Sequence, residues 1–519
     1  MPGRTGKLVA GVTMAAALAG PAASAVAGTP AVRAVAGTPA APAVAGTPAV
    51  RGAATVQTPA AGAAATTGLA WRPCAGRDVP AGMQCAAIEV PVDWARPGGR
   101  TVKLDLVRLP ATEPAGRIGS VLGAPGGPGR NGIDDLKLAA GDLGELRRRF
   151  DLVAYKPRPT VWSEQMPASC GKPATALEEP RDRAAYRKLA ATMAKAFEAC
   201  RADDTSGLFG HLDGLSVARD MDAVRKALGE ERLNVMASSY GGVSAAAYAR
   251  LFPQRIRAMY LDGVVNQTEG WPTATLVGLR GVDAAFTRFT RWCATTPACK
   301  LHGQDSGAIW REVVEGADRE PIPVTSAEFG KGELTGWHLR SFGFVGDPGD
   351  GHARWLSFAE SLDKARRGDG SGFAEFVLGN ARVWSMPGML AMTCGDERGY
   401  ASYAQLRDHR RQAKKVSPIF GGAAFDSLGC TGWPLKVANP ARKLPVRGLP
   451  PMLGAGTLEN DFAITERFTR MVPGSVALGY DGPGHVLYVS GKKCPIAHAT
   501  AYLTDLKLPK PGTVCPAEP

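Results

Sequence analysis

The sequence predicts an α/β fold, a mostly parallel sheet with helices on both faces. Short apolar strand-like runs alternate with stretches of helical spacing from about residue 87 to 265, and the alternation resumes after residue 450. A composition of 45% hydrophobic and 21% charged residues supports a sizeable core and excludes a chain disordered throughout.

The elements follow in order. Residues 87–92 and 102–109 alternate as strands, 120–124 is a short apolar strand, and 150–155 is another. Val217, Met221, Val224 and Leu228 recur at helical spacing. Residues 233–237 form an apolar strand, 243–251 a helix that stops before Pro253, and 259–265 a further strand. From 266 to 442 the pattern turns helical and rich in Trp and Phe. Strands return at 451–456 and 476–480, followed by a helix near 496–503. An insertion of this kind suits a cap over the carboxyl edge of the sheet, where such sheets bind ligands. The expected division is therefore a core over 70–265, a cap over 266–442 and the rest of the core over 443–519.

The amino terminus reads as an export signal over residues 1–27. Arg4 and Lys7 precede an apolar Ala-rich stretch at 8–20, and Ala23-Ser24-Ala25 and Ala25-Val26-Ala27 are small-x-small cleavage sites. A nine-residue repeat follows, AVAGTPAVR from Ala25, AVAGTPAAP from Ala34 and AVAGTPAVR from Ala43. It offers no bulky side chain to bury, so residues 28–69 are expected to be a disordered spacer. Beyond the signal, no apolar run reaches the ~20 residues that span a bilayer, and no integral membrane segment is expected. The net charge is +13, but Lys and Arg are scattered among acids rather than clustered with aromatics, which argues against a nucleic-acid site.

Ten cysteines agree with export. In chain order they form five short-range pairs: Cys74 with Cys85, Cys170 with Cys200, Cys293 with Cys299, Cys394 with Cys430, and Cys494 with Cys515. Spacing alone does not fix connectivity, although loops this short favour nearest neighbours. There is no CxxC and no Cys/His spacing typical of zinc, so neither metal nor cofactor is expected.

Three motifs carry chemistry. Ala237-Ser238-Ser239-Tyr240-Gly241, between a strand and a helix, is one residue from the G-x-S-x-G nucleophile elbow, whose tight turn demands small residues two before and two after the serine. Gly126-Gly127-Pro128-Gly129 follows the 120–124 strand; the N–H groups of Gly127 and Tyr240 are the expected oxyanion donors. Gly482-Pro483-Gly484-His485 follows a late strand and gives His485 the setting of a catalytic base. The acid belongs after the 451–456 strand, where both Glu459 and Asp461 stand. The order serine, acid, histidine is that of the α/β-hydrolases.

With these motifs the chain resembles secreted tripeptidyl-aminopeptidase-like α/β-hydrolases, with a prolyl-aminopeptidase-like core and a C-terminal TAP-like segment. The resemblance runs from about Trp71 to Cys515 and includes Ala218-Arg219-Asp220-Met221-Asp222, Leu261-Asp262-Gly263-Val264, Gly456-Thr457-Leu458 and Pro511-Gly512-Thr513-Val514-Cys515. The cysteine pairs also look like the family's layout. The resemblance implies an α/β-hydrolase fold with a helical cap and a secreted serine peptidase that releases short peptides from free amino termini. Matching the family's Asp-Pro places Glu459 as the acid, with Asp461 in reserve. A Cys-x-Asp at the matching place makes Asp396, with Glu397, a candidate partner for the substrate's amine. Two departures stand out: Ala237 replaces the usual glycine, and Lys156 to Ser163 replaces an Asp-Pro-Arg-Gly-x-Gly-x-Ser loop. An esterase or amidase acting on a small metabolite and a non-catalytic secreted homologue are the alternative readings. The oligomeric state is not legible.

Overall fold

The computed structural model describes residues 69–76, 78–158, 166–175, 177–344, 352–421 and 428–518. The expected signal and repeat spacer, and most of the divergent loop after Arg158, lie outside the described residues. Of the twelve strands among the described residues, ten form one sheet: β1 (Arg72–Pro73), β2 (Gln84–Pro91), β3 (Thr101–Leu109), β4 (Gly119–Ala124), β5 (Phe150–Tyr155), β6 (Leu233–Ser238), β7 (Ile256–Asp262), β10 (Leu453–Thr457), β11 (Val476–Asp481) and β12 (Val514–Pro516), while β8 (Ile322–Ser326) and β9 (Gly330–Leu334) pair separately. The order is β1-β2-β3-β5-β4-β6-β7-β10-β11-β12. Pairing is antiparallel from β1 through β3 to β5 and parallel from β5 to β12. Strand order reverses at β4, so a crevice opens beside the carboxyl ends of β4 and β6.

Residues on the central strands alternate between two cores, as a pleated sheet buried on both faces requires. Val235, Ala237, Met259 and Leu261 pack with the helices Gly214–Ala227 and Gly241–Leu251. Val121, Met236, Ala258 and Tyr260 pack on the other face with residues of the helices Gly132–Ala139 and Lys493–Asp505. The methyl of Ala237 is fully buried in the first core, so the strand accommodates it where the elbow usually has glycine.

Between β7 and β10 the described residues add no strand to this sheet. They build a third core of their own, dominated by Phe286, Phe289, Trp310, Phe344, Trp355 and Phe358. The expectation of a purely helical insertion needs one correction: β8 and β9 form an antiparallel hairpin within it. Its short, partly exposed strands carry too little apolar alternation to stand out beside the long helices Trp271–Thr295 and Ser306–Arg319.

All five nearest-neighbour disulfides are present. Cys494, Cys515 and His498 come together in a metal-like cluster, but both sulfurs are consumed in a disulfide and supply no thiolate. No helix of the described residues is long and apolar enough to cross a membrane.

Candidate active site

Ser239 sits between β6 and the helix Gly241–Leu251 with φ = 50°, a left-handed conformation rare outside glycine and characteristic of a sharp strand-to-helix turn. Three main-chain bonds fix it: Ser239 N–H donates to Asp262 O at 3.1 Å, and Ser239 O accepts from Gly242 N–H at 3.1 Å and Val265 N–H at 2.9 Å. The turn is packed too closely for larger residues. A Cβ on Gly241 would lie 2.1 Å from Ala124 O, and one on Gly126 would lie 2.6 Å from Ser239 Cβ. The glycine run after β4 is therefore in contact with the serine. Tyr240 opens the helix, where main-chain N–H groups are unspent and the dipole favours negative charge.

His485 follows β11, and its Nδ1 lies 2.5 Å from Asp461 Oδ2. Asp461 is buried, and its other oxygen accepts from Thr457 N–H at 2.7 Å. Gly263 provides the space, since a Cβ there would meet Asp461 Oδ2 at 2.5 Å and His485 Nδ1 at 3.1 Å. Ser239 Oγ and His485 Nε2 are both buried and without a hydrogen-bond partner. A buried polar atom left unpaired is costly, and one at a reaction centre is held for a substrate or a proton.

The structure corrects the choice of acid. Glu459 does not reach His485; its Oε1 pairs with Arg288 Nε at 2.8 Å. The cause is the turn after β10. Asn460 N–H bonds back to Thr457 O, which puts Glu459 at the turn's tip and returns Asp461 to the strand end. The family-matched position thus faces the insertion, and the reserve position faces the imidazole.

Asp396 is also corrected as an amine partner. It is 2% exposed and already accepts three bonds from the protein: Oδ1 takes Gly214 N–H at 2.8 Å and Asn439 Nδ2 at 2.6 Å, and Oδ2 takes Tyr240 Oη–H at 2.8 Å. Burial and the nearby Asp213 push it up to about 8. Its role is to tie the insertion to the residue after the nucleophile. Glu397 stands differently. It is half-buried, accepts one long bond from Trp271 N–H at 3.3 Å, and is pushed by burial up to about 7. Burial raises the Tyr240 phenol, and the charge of Asp396 and, less, that of Glu397 add to the rise.

Sequence reasoning missed two further groups. Arg158 and Asp220 form a fully buried pair, Nε to Oδ2 at 2.6 Å and Nη2 to Oδ1 at 2.8 Å, and Arg158 also bonds Pro91 O, Val92 O and His211 O. This pair joins Arg158, at the start of the divergent loop, to the helix that precedes the elbow. The other is Asp262, considered below.

The family pattern for the alpha/beta hydrolase fold matches residues 204–313, around Ser239, and the pattern for TAP-like proteins matches 417–515, around Asp461 and His485. The chain is a serine hydrolase of the α/β-hydrolase fold. The hydrolase is 26% identical over 487 residues to serine protease Hip1 of Mycobacterium tuberculosis, covering 86% of this chain and 90% of that protein. It is 28% identical over 422 residues to a tripeptidyl aminopeptidase of Streptomyces coelicolor, covering 76% and 75%. It is 27% identical over 467 residues to carboxylesterase B of Mycobacterium tuberculosis, covering 83% and 86%.

Proposed function

We propose that the hydrolase is a secreted aminopeptidase that releases short peptides from free amino termini through an acyl-enzyme. Ser239 Oγ attacks the scissile carbonyl, and His485 Nε2 takes its proton. Asp461 holds the imidazole by Nδ1 and stabilises the cation. The N–H groups of Gly127 and Tyr240 receive the oxyanion; one such donor is worth roughly 100- to 1000-fold in turnover. His485 then protonates the leaving amine, and water, activated by the same imidazole, releases the acyl peptide.

The observation that carries the peptidase reading is Glu397, a half-buried carboxylate of the insertion that accepts one long bond, from Trp271 N–H at 3.3 Å, and keeps acceptor capacity for a substrate ammonium. The tripeptidyl-aminopeptidase and protease relatives support it. The insertion would act as the cap that closes over this end. Five disulfides suit an extracellular enzyme. The carboxylesterase relative favours a second reading, an esterase with the same triad. A panel of free and N-acetylated peptides beside simple esters separates the two. Efficient cleavage of acetylated peptides removes the aminopeptidase reading. Ser239→Ala is expected to abolish turnover and fluorophosphonate labelling while the protein stays folded, and labelling at Ser238 would sink the assignment.

A further inference from the structure

We propose that Asp262 is a positioning residue for hydrolysis, a buried carboxylate that clamps the loop carrying His485 to the strand beside the nucleophile. The proposal rests on the triad reading above. Asp262 ends β7 and is 0% exposed. Its main-chain carbonyl accepts from Ser239 N–H at 3.1 Å. Its side chain faces the other way along the crevice: Oδ1 accepts from Leu487 N–H at 2.9 Å, and Oδ2 from Tyr488 N–H at 2.9 Å and Tyr260 Oη–H at 3.2 Å. One residue therefore touches both the serine turn and the histidine loop, and neither contact belongs to the triad.

The histidine loop needs such a clamp. Gly484 has φ = 138° and Val486 has φ = 57°. A β-branched residue is a steric outlier in the left-handed region and persists there only where surrounding contacts over-determine it. Val486 adjoins His485 and immediately precedes the two amides that Asp262 holds. Released, the loop would relax Val486 and turn the imidazole off its line between Asp461 and Ser239. Asp262 is not a second triad acid. His485 Nδ1 bonds Asp461, and the oxygens of Asp262 are taken up by Leu487 N–H, Tyr488 N–H and Tyr260 Oη–H. Burial, with a smaller push from the charge of Asp461, raises Asp262 to about 7 against the pull of the two loop N–H groups.

The test is Asp262→Asn. The amide keeps one acceptor and turns an NH2 toward a loop N–H, so one of the two loop bonds is lost. The expected result is a roughly 10- to 100-fold fall in kcat with KM within about twofold, the scale on which a displaced catalytic group acts. Fluorophosphonate labelling should slow by the same factor, and the downfield proton resonance of the His485–Asp461 bond should broaden or move. Adding Val486→Gly, which adopts positive φ freely, should recover part of the lost kcat, because the loop then needs less holding. Parent kcat and an unmoved resonance in Asp262→Asn would overturn the proposal. So would a loss that Val486→Gly leaves untouched. Where Asp262→Asn does not fold, hydrogen exchange on the parent protein decides: the Leu487 and Tyr488 amides should exchange far more slowly than that of Gly484, and fast exchange at both overturns the clamp. The triad reading fails separately, if Ser239→Ala retains activity.

Discussion

On the sheet side of the crevice, side chains are held by main-chain donors: Asp461 by Thr457 N–H, and Asp262 by two loop N–H groups. Where the core meets the insertion, partly exposed side chains hold side chains. Arg288 reaches Glu459 at 2.8 Å and Asp481 at 3.1 Å, and Arg467 reaches Glu269 at 2.7 Å. Main-chain donors of a sheet have no rotamers to lose, so the first kind of contact fixes a geometry. Partly exposed ion pairs are worth little and adapt, so the second kind suits a surface that decides what binds. The cores differ in the same sense. The sheet is lined with Val, Leu, Ala and Met around buried Asp and Arg, whereas the insertion is an aromatic cluster.

The largest expected effect breaks the sheet side. Asp461→Asn should cut kcat by about 10⁴-fold, because an amide favours the wrong imidazole tautomer, while Glu459→Gln should leave kcat near the parent value. Steady-state kinetics of the two variants checks it, and the reverse ranking would restore Glu459 as the acid. The next effect concerns the insertion's own core. Phe289 is fully buried against Phe286, Phe344, Trp355 and Phe358. Phe289→Ala should destabilise by about 3–5 kcal/mol, read by denaturant unfolding.

Glu397 sharpens the comparison through specificity. Glu397→Gln should raise KM for free-amine peptides roughly 10- to 100-fold, the worth of one charge-assisted hydrogen bond, and leave KM for a neutral ester unchanged. The pH dependence has a definite sign. Because burial holds Glu397 at about 7, its carboxylate forms as pH rises through 7. The substrate's α-ammonium is lost above ~8. KM for free-amine peptides should therefore be lowest between about pH 7 and 8, and the rise in KM below that window should vanish in Glu397→Gln.

Most of the sheet was legible because its strands are short, apolar and separated by helical periods; β5 falls on the expected residues and seven others shift by up to three at their ends, whereas the two- and three-residue edge strands β1 and β12 are too short to carry a pattern and were not expected. The nucleophile and base were legible because a tight turn and a strand-end loop restrict residue types at fixed offsets. The acid was not. Glu459 and Asp461 differ only in where a three-residue turn points them, and that depends on the bond from Asn460 N–H to Thr457 O and on the close approach of Gly281 to Asn460 O. Asp396 misled for a related reason. An acid beside a disulfide reads the same whether its oxygens face a pocket or, as here, Gly214, Asn439 and Tyr240.

The smallest expected effect concerns the residue that the sequence favoured as the acid. Glu459 joins Arg288, on the insertion's first long helix, to the turn that carries Asp461, and Arg288 also reaches Asp481 at the end of β11. Arg288 is more than a third exposed, so solvent screens the pair and its contribution to stability should be at most ~1 kcal/mol. Burial raises the Glu459 carboxyl, and Arg288 only partly offsets the rise. If the pair only docks the insertion, a double-mutant cycle of Arg288→Ala and Glu459→Gln should give a coupling of a few tenths of a kcal/mol in stability, weakening in high salt. Turnover should be little changed, because Thr457 N–H holds Asp461 without help from Arg288. A loss of kcat in Arg288→Ala beyond about tenfold would show that the insertion sets the triad's geometry as well as its substrate, and would erase the distinction between the two sides of the crevice.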